Sequence, residues 1–266
     1  MRIEGSVAVI TGAGSGIGRA LATTFAAAGA SVVAGDLSEA GVAETVSAIR
    51  ASGDVAVGVT ADVSTTSGVE VLVDAARTFG PVDVFVANAG ITGASGLGAE
   101  ADWDRIIDVN LRAHIRAADR LIPEWLARGH GYFVAVASAA GLLTQLGAAG
   151  YSVTKHAAVG FAEWLSITYG DRGIGVSCVC PMGVDTPLLN DMVSADDALG
   201  RLAGAAVRQA GEVVSPERVA ELTVEAVAAE RFLVLPHPVV LDMYRQKGSD
   251  YERWISGMRR YQRGLS

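Results

Sequence analysis

The stretch Val7-Ala8-Val9-Ile10-Thr11-Gly12-Ala13-Gly14-Ser15-Gly16-Ile17-Gly18 decides the fold of this chain. Its apolar, β-branched first half is typical of a buried strand, and the helical pattern of residues 19–28 follows its last glycine. Glycines at such a junction let the backbone approach a pyrophosphate, and the helix N-terminus adds free N–H groups and positive partial charge. The order strand, glycine loop, helix therefore predicts a dinucleotide site.

The glycine spacing alone is weak support. The loop fits the pattern G-x-x-x-G-x-G, which three fixed glycines reproduce by chance about 0.5 times in a chain this rich in glycine. Its place between a strand and a helix carries the prediction. We expect the cofactor to contact Gly12, Ser15, Gly16, Ile17 and Gly18.

Short apolar runs alternate with helical patterns along the whole chain. The strand candidates are residues 7–10, 31–34, 55–59, 82–87, 132–137, 176–179 and 232–235. The helix candidates are residues 19–28, 39–51, 68–78, 103–128, 152–171 and 216–230. Near-continuous apolar strands between helices predict an α/β fold with a doubly wound parallel sheet of the Rossmann type. No linker-like segment divides residues 1–266, so we expect a single domain.

Composition excludes several functional classes. The 266 residues are 50% hydrophobic with a net charge of −8, which excludes disorder and disfavours a nucleic acid or membrane surface as partner. Cys178 and Cys180 are predicted to be buried apolar residues of a reducing compartment. The N-terminal residues do not resemble a signal peptide, so we expect a cytoplasmic protein. The four histidines share no ligand spacing, and we predict no metal site.

Asp36 follows the second strand candidate, beside Leu37. A carboxylate at this position accepts hydrogen bonds from the adenosine ribose and repels a 2′-phosphate. No arginine or lysine stands at Ser15, Leu37 or Ser38 to offset that repulsion, so we expect NAD rather than NADP. The alternative is that Asp36 only caps the next helix.

Tyr151 and Lys155 are spaced one helical turn apart and project from the same helix face. With 6 tyrosines and 2 lysines in the chain, this pair arises by chance only about 0.05 times. An ammonium about 4 Å from a phenol supplies about 4 kcal/mol, enough to bring a pKa of about 10 near 7. We therefore predict that Lys155, helped by a cationic nicotinamide, makes Tyr151 a general acid/base at neutral pH; the alternative is an amphipathic surface pair. Ser138 ends the fifth strand candidate, where its hydroxyl could hold a substrate oxygen; the alternative is a helix cap or turn former.

Two segments break the alternation. Residues 182–214, approximately, separate the sixth strand candidate from the next helix, and we expect a substrate lid there rather than a plain surface excursion. The tail, about residues 236–266, places Tyr244, Tyr251, Trp254, Met258 and Tyr261 at helical spacing. We expect one helical stripe that packs on the core or on another subunit.

With Asn88-Ala89-Gly90 after the fourth strand and Asn110 inside a helix, these residues resemble the classical short-chain dehydrogenase/reductase family as far as about Leu235. The resemblance implies that Asp62 and Val63 contact adenine and that residues 88–90 form part of the cofactor site. It also implies a catalytic tetrad of Asn110, Ser138, Tyr151 and Lys155.

The resemblance assigns a role to each member of that tetrad. Tyr151 would exchange the proton with the alcohol or ketone oxygen, which Ser138 would position. Lys155 would bind the nicotinamide ribose and lower the tyrosine pKa, and Asn110 would hold a relay water. Residues 181–186 are similar to the family's Pro-Gly segment, so that Pro181, Gly183, Val184 and Thr186 would contact the nicotinamide. Here Met182 departs from the family pattern by separating the proline from the glycine. The family also implies a homo-oligomer, a tetramer or a dimer.

We therefore expect an NAD-dependent oxidoreductase that interconverts a secondary alcohol and a ketone. The pocket candidates are Ile91, Thr92, Ala139, Leu142, Leu143, Met182, Leu188, Leu189 and Met192. Their apolar character favours an aromatic, alicyclic or steroid-like substrate. The alternatives are a 3-oxoacyl-thioester reductase and a non-catalytic NAD(H)-sensing protein that keeps only the fold.

Overall fold

A computed structural model describes residues 1–194 and 196–265 of the chain. The strands are β1 (Val7–Thr11), β2 (Ser31–Asp36), β3 (Ala56–Thr60), β4 (Val84–Ala87), β5 (Gly131–Val136), β6 (Ile174–Val179), β7 (Gly183–Val184), β8 (Val213–Val214) and β9 (Leu233–Val234). The α-helices are α1 (Gly16–Ala27), α2 (Glu39–Ala51), α3 (Thr66–Ala76), α4 (Glu100–Ile107), α5 (Ala113–Arg128), α6 (Ala140–Leu143), α7 (Ala149–Tyr169), α8 (Pro187–Val193), α9 (Ala198–Ala210), α10 (Pro216–Ala228), α11 (Val239–Ser249) and α12 (Tyr251–Leu265). A 3-10 turn, Gly170–Arg172, follows α7.

Seven parallel strands form the main sheet in the order β3-β2-β1-β4-β5-β6-β9. This order confirms the doubly wound parallel sheet, and every predicted strand and helix of the alternation is present within a few residues. The order reverses between β1 and β4, which is where open α/β sheets bind ligands.

Both faces of the sheet are buried. Along β5, Tyr132, Val134 and Val136 enter one apolar cluster, whereas Phe133 and Ala135 enter the other. Because both faces are buried, the strand sequences are continuous apolar runs rather than alternating apolar and polar residues. Cys178 is also buried, as predicted, and its Sγ lies 3.8 Å from that of Cys180 without a disulfide bond.

Register brings the predicted site residues to one edge of the sheet. Thr11 pairs with Gly35, and Ile10 pairs with Val86, so the carboxyl ends of β1, β2 and β4 emerge side by side. The Thr11 hydroxyl donates to the Val86 carbonyl at 3.2 Å and accepts from the backbone N–H of Asn88 at 2.9 Å. The glycine loop is thereby fixed to the segment that follows β4.

The predicted helix over residues 103–128 is not continuous. A π-helical turn, Asp108–Arg112, separates α4 from α5 and places the buried Asn110 at its middle. Such single turns are frequent at functional sites.

The insertion at residues 182–214 has its own small sheet. Its first strand, β7, pairs in parallel with its last strand, β8, through Gly183–Val213 and Val184–Val214. Helices α8 and α9 lie between the two strands. Within the predicted lid, Ala195 lies outside the described residues.

The prediction of one helical stripe in the tail is wrong. The helix breaks at Asp250, whose extended backbone separates α11 from α12 and changes the phase of the side chains. Tyr251 is consequently 58% exposed, whereas Trp254 is half-buried against the core and Tyr261 donates to the Ala206 carbonyl at 3.0 Å. Ser266, the last residue of the predicted tail, lies outside the described part of the chain. Among the described helices, none is both long and apolar enough to cross a membrane.

Candidate active site

A cleft of about 440 Å³ opens at the edge where the strand order reverses. The predicted site residues that line it are Gly12, Ser15, Gly16, Ile17, Gly18, Asp36, Leu37, Asp62, Val63, Asn88, Ala89, Gly90, Ile91, Ser138, Tyr151, Lys155, Pro181, Met182, Val184, Thr186, Leu188, Leu189 and Met192. The structure therefore brings the glycine loop, the Tyr151–Lys155 pair and the insertion into one cavity.

Some predicted residues lie elsewhere. Asn110 and Gly183 are buried beside the cleft without lining it, and Thr92 also lies outside its lining. The prediction that Ala139, Leu142 and Leu143 line the substrate pocket is wrong, because these side chains enter the hydrophobic core. The reason is that the chain turns into α6 directly after Ser138, and α6 packs closely on α7.

The glycine loop forms a tight cradle. A Cβ on Gly18 would meet the Gly12 carbonyl oxygen, and Gly12 itself has a φ of +67° that favours glycine. Ser15 occupies the cap position of α1 but makes no side-chain cap bond to the first turn. A helix N-terminus of this kind attracts phosphate, so the loop fits the pyrophosphate of a dinucleotide.

Asp36 binds the glycine loop through a hydrogen bond and keeps unused hydrogen-bond acceptor sites. One carboxylate oxygen accepts from the Gly14 N–H and the other from the Ser38 N–H, each at 2.9 Å. A carboxylate has about four acceptor sites, so both oxygens can accept again. The alternative in which Asp36 caps the next helix is wrong, because the Ser38 hydroxyl caps α2 by accepting from Gly41 N–H at 3.1 Å.

Ser138 and Tyr151 meet at the base of the cleft. Both are buried and line the cleft, and the Ser138 hydroxyl lies close enough to the Tyr151 phenol to lower its pKa. Ser138 Oγ also accepts from the Ala140 N–H at 3.1 Å, which holds the serine at the start of α6. This arrangement can present two hydroxyls to one substrate oxygen.

In the chain without a cofactor the pKa of Tyr151 is raised rather than lowered, so the joint effect of Lys155 and a cationic nicotinamide stays a prediction. Burial raises the pKa of Tyr151, and the nearby Ser138 hydroxyl opposes the rise only in part. Burial also lowers the pKa of Lys155 to about 8. The Lys155 ammonium donates to the Val136 carbonyl at 3.0 Å and lies 5.7 Å from the Tyr151 ring centroid. Its positive charge therefore lies near the phenol.

Asn110 is a buried connector rather than an open amide. Its Oδ1 accepts from the Ile91 N–H, and its Nδ2 donates to the Ile91 carbonyl and to Thr154 Oγ1. Both amide hydrogens are thereby used. The side chain links the exit of β4 to α7, the helix that carries Tyr151 and Lys155.

Sequence reasoning missed several residues that shape this site. Thr154 and Thr11 act through the contacts described above, and no spacing signal marks either. Gln145 lines the cleft and donates through Nε2 to the Ala203 carbonyl of α9 at 3.2 Å. His237, one of the four histidines without ligand spacing, accepts from the Met182 N–H at 3.1 Å through Nδ1, and burial lowers its pKa. It anchors the residue that interrupts the Pro-Gly segment.

The family profile described as short chain dehydrogenase matches residues 6–197, which contain the glycine loop and the whole tetrad. The chain belongs to the short-chain dehydrogenase/reductase family of oxidoreductases. A crystal structure of a member of this family from Burkholderia phymatum in complex with NAD superposes with a TM-score of 0.84 at 35% identity, over 95% of this chain and 96% of that one.

Two curated relatives are named as dehydrogenases of hydroxylated compounds. Cis-4-hydroxycyclohexanecarboxylate dehydrogenase of Sinomonas cyclohexanicum is 37% identical over 81% of this chain and 86% of its own length. 1-deoxy-11-beta-hydroxypentalenate dehydrogenase of Streptomyces exfoliatus is 32% identical over 96% of this chain and 92% of its own.

Proposed function

We propose that the protein is an NAD-dependent dehydrogenase that interconverts an apolar alicyclic secondary alcohol and its ketone. The observation that carries this proposal is the shared cleft, in which the Ser138–Tyr151 pair meets the apolar side chains of Leu188, Leu189 and Met192. An apolar wall beside two hydroxyls suits a hydrocarbon ring that bears one reacting oxygen. The name of the Sinomonas cyclohexanicum relative supports the alicyclic ring with one reacting hydroxyl.

The chain's own residues divide the chemistry. The glycine loop and Asp36 would hold a nicotinamide dinucleotide, which supplies the hydride acceptor when bound. Tyr151 removes the hydroxyl proton of the alcohol, and Ser138 holds the same oxygen. Lys155 keeps a positive charge beside the phenol and thereby favours its ionised form. Asn110 and Thr154 keep α7 in place relative to the end of β4.

NAD rather than NADP is the proposed cofactor. Asp36 would place a negative charge against a 2′-phosphate. Arg19 donates to the Gly14 carbonyl near this carboxylate, but its guanidinium also pairs with Glu44 at 2.8 Å, which offsets its charge.

The insertion and the outer face of α7 extend the proposal. We assign residues 182–214 the role of a substrate lid, since α8 contributes Leu188, Leu189 and Met192 to the cleft. We also propose a homo-oligomer. Trp164 and Ile167 of α7 are 52% and 85% exposed, which leaves apolar surface for a second copy to cover.

Initial rates of NADH formation test the proposal. The panel contains cyclohexanol, cis-4-hydroxycyclohexanecarboxylate, 1-phenylethanol and a 3-hydroxysteroid, each with NAD or NADP. Tyr151→Phe is compared with Tyr169→Phe, which removes a phenol hydroxyl from the same helix away from the cleft. We expect turnover of an alicyclic alcohol with NAD that is lost in Tyr151→Phe and kept in Tyr169→Phe.

The other outcomes identify the alternatives. Oxidation of NADPH by an acetoacetyl thioester, with the alcohol panel inactive, would favour the 3-oxoacyl-thioester reductase. Tight NADH binding without turnover of any compound would favour the sensing protein.

A further inference from the structure

Lys247 of α11 is a buried cation whose contacts the reaction described above does not use. It is only 7% exposed, and its Nζ donates to the Leu142 carbonyl at 2.7 Å. The same atom lies 3.3 Å from His156 Nε2 and 5.7 Å from the centroid of the Tyr251 ring. No carboxylate in the described residues forms an ion pair with it. Burying an ammonium without an anion costs free energy, and the three contacts of Lys247 must offset that cost.

The neighbours of Lys247 are arranged to receive an ammonium. His156 Nδ1 lies 2.8 Å from the Ser152 carbonyl, and because a carbonyl only accepts, this nitrogen carries the proton. His156 Nε2 is then the unprotonated nitrogen and accepts from Lys247. The three ammonium hydrogens thus face a carbonyl, an imidazole nitrogen and an aromatic ring.

These contacts span the two segments that carry the reacting hydroxyls. Leu142 belongs to α6, the single turn that begins after Ser138 and whose Ala140 N–H binds Ser138 Oγ. His156 directly follows Lys155 on α7. Lys247 therefore bonds on one side to the serine segment and on the other to the tyrosine helix.

We propose that Lys247 is a positioning residue that holds α6 and α7 together and thereby keeps Ser138 beside Tyr151 in the cleft. The inference rests on the proposed function, because it concerns the same reaction. It gives the tail, which lies beyond the residues matched by the family profile, a part in the active site.

The test compares Lys247→Met with Arg245→Met, which removes the same charge from an exposed position of the same helix. For the alcohol that the wild type oxidises best, we expect kcat to fall about tenfold in Lys247→Met, with the KM for NAD changed less than about twofold. We also expect its pH profile for oxidation to move to higher pH, because the neighbouring Ser138 hydroxyl lowers the pKa of Tyr151. Arg245→Met should match the wild type in all three measurements. Partial unfolding alone would lower the active fraction without moving the pH profile.

An unchanged kcat and pH profile in folded Lys247→Met would overturn the proposal, as would an equal effect of Arg245→Met. If Lys247→Met does not fold, a second pair of variants, at His156, tests the proposal. The amide oxygen of His156→Gln can still accept from Lys247, whereas His156→Leu cannot, so we expect the glutamine variant to be the more active. Equal activities would count against the proposal.

A readout without substrate separates this inference from the proposed function. Amide hydrogen exchange over residues 140–144 should be faster in Lys247→Met than in Arg245→Met, because the carbonyl cap of α6 is lost. If the wild type oxidises no alcohol, the proposed function fails, and this comparison still decides whether Lys247 holds α6. Equal exchange in the two variants would exclude that role.

Discussion

Asn110 and Ile91 are joined by two hydrogen bonds, each 2.9 Å long, one from the Ile91 N–H to the asparagine Oδ1 and one from its Nδ2 to the Ile91 carbonyl. An asparagine side chain thereby pairs with a backbone segment as a neighbouring strand would. This pairing explains why a poor helix former lies inside a long helical pattern, at the π-helical turn.

Replacing Asn110 should destabilise the protein. Asn110→Leu leaves the Ile91 N–H and carbonyl without their partner, and we expect a loss of about 2 kcal/mol in the free energy of unfolding. Thr154→Val removes a single bond to the same amide and should cost about 1 kcal/mol. Urea unfolding measures both. Equal stabilities of the two variants would contradict the double pairing.

Gly18 should tolerate no side chain. In Gly18→Ala the new Cβ would meet the Gly12 carbonyl oxygen, so the cradle must open, and we expect NAD affinity to fall by at least about tenfold. Gly160→Ala, in α7, is the matched control, because nothing lies within 4 Å of its new Cβ. It should bind NAD normally and gain about 0.5–1 kcal/mol of stability. Calorimetric NAD titration and thermal unfolding test the pair.

Ser138→Ala should shift the pH dependence of alcohol oxidation upward. Burial raises the pKa of Tyr151, and the Ser138 hydroxyl lowers it, so removing the serine hydroxyl raises the pKa further. Oxidation needs the ionised phenol, and its rate should therefore rise at higher pH in the variant than in the wild type. Ketone reduction needs the protonated phenol and should persist to higher pH. A profile of kcat/KM against pH in both directions checks the sign, and a downward shift would refute it.

Asp36→Asn should relax the choice of cofactor. The amide keeps one acceptor but removes the charge that would repel a 2′-phosphate. We expect the ratio of kcat/KM for NAD to that for NADP to fall by about tenfold or more. Glu39→Gln removes an exposed carboxylate at the start of α2 and serves as the control. An unchanged ratio in Asp36→Asn would remove the basis for the NAD preference.

His114 should make the protein sensitive to acid. It is fully buried, and neither ring nitrogen has a hydrogen-bond partner in the described part of the chain. Burial lowers its pKa to about 3. The unfolded chain takes up a proton below the usual pKa of about 6.5, whereas the folded chain does not, so stability falls as the pH drops below about 6.5.

At pH 5 this residue alone should cost about 2 kcal/mol of unfolding free energy. His114→Leu should remove that part of the loss and should be no less stable than the wild type at pH 7, because no hydrogen bond is broken. Urea unfolding at pH 7 and pH 5 measures the difference. An identical loss in both proteins would argue against a neutral buried imidazole.

What the sequence could predict depended on how far apart the interacting residues are along the chain. The glycine loop and the Tyr151–Lys155 pair are short motifs that a sequence pattern can detect. The parallel sheet order then places both at the same edge of the sheet. Lys247 and Leu142 are 105 residues apart, and His237 and Met182 are 55 apart, so no local spacing indicates either contact.

Side-chain orientation and burial account for two further differences between the sequence predictions and the structure. Leu142 and Leu143 follow a strand that ends at the cleft, yet the packing of α6 on α7 turns them into the core. The sequence indicates the charge of Lys155 but not the burial of the phenol, which raises the pKa of Tyr151 in the folded chain without a cofactor. Both outcomes depend on packing that a linear pattern does not contain.

The short ladder between β7 and β8 closes the insertion at its base. Its two ends lie one strand spacing apart, about 4.8 Å, so the chain enters and leaves the insertion at nearly the same point. A segment closed at its base adds little chain entropy when its length changes. The length of the insertion can therefore change at little entropic cost, whereas Thr186 beside Gly16 and the bond from Tyr261 to the Ala206 carbonyl fix its position against the rest of the chain.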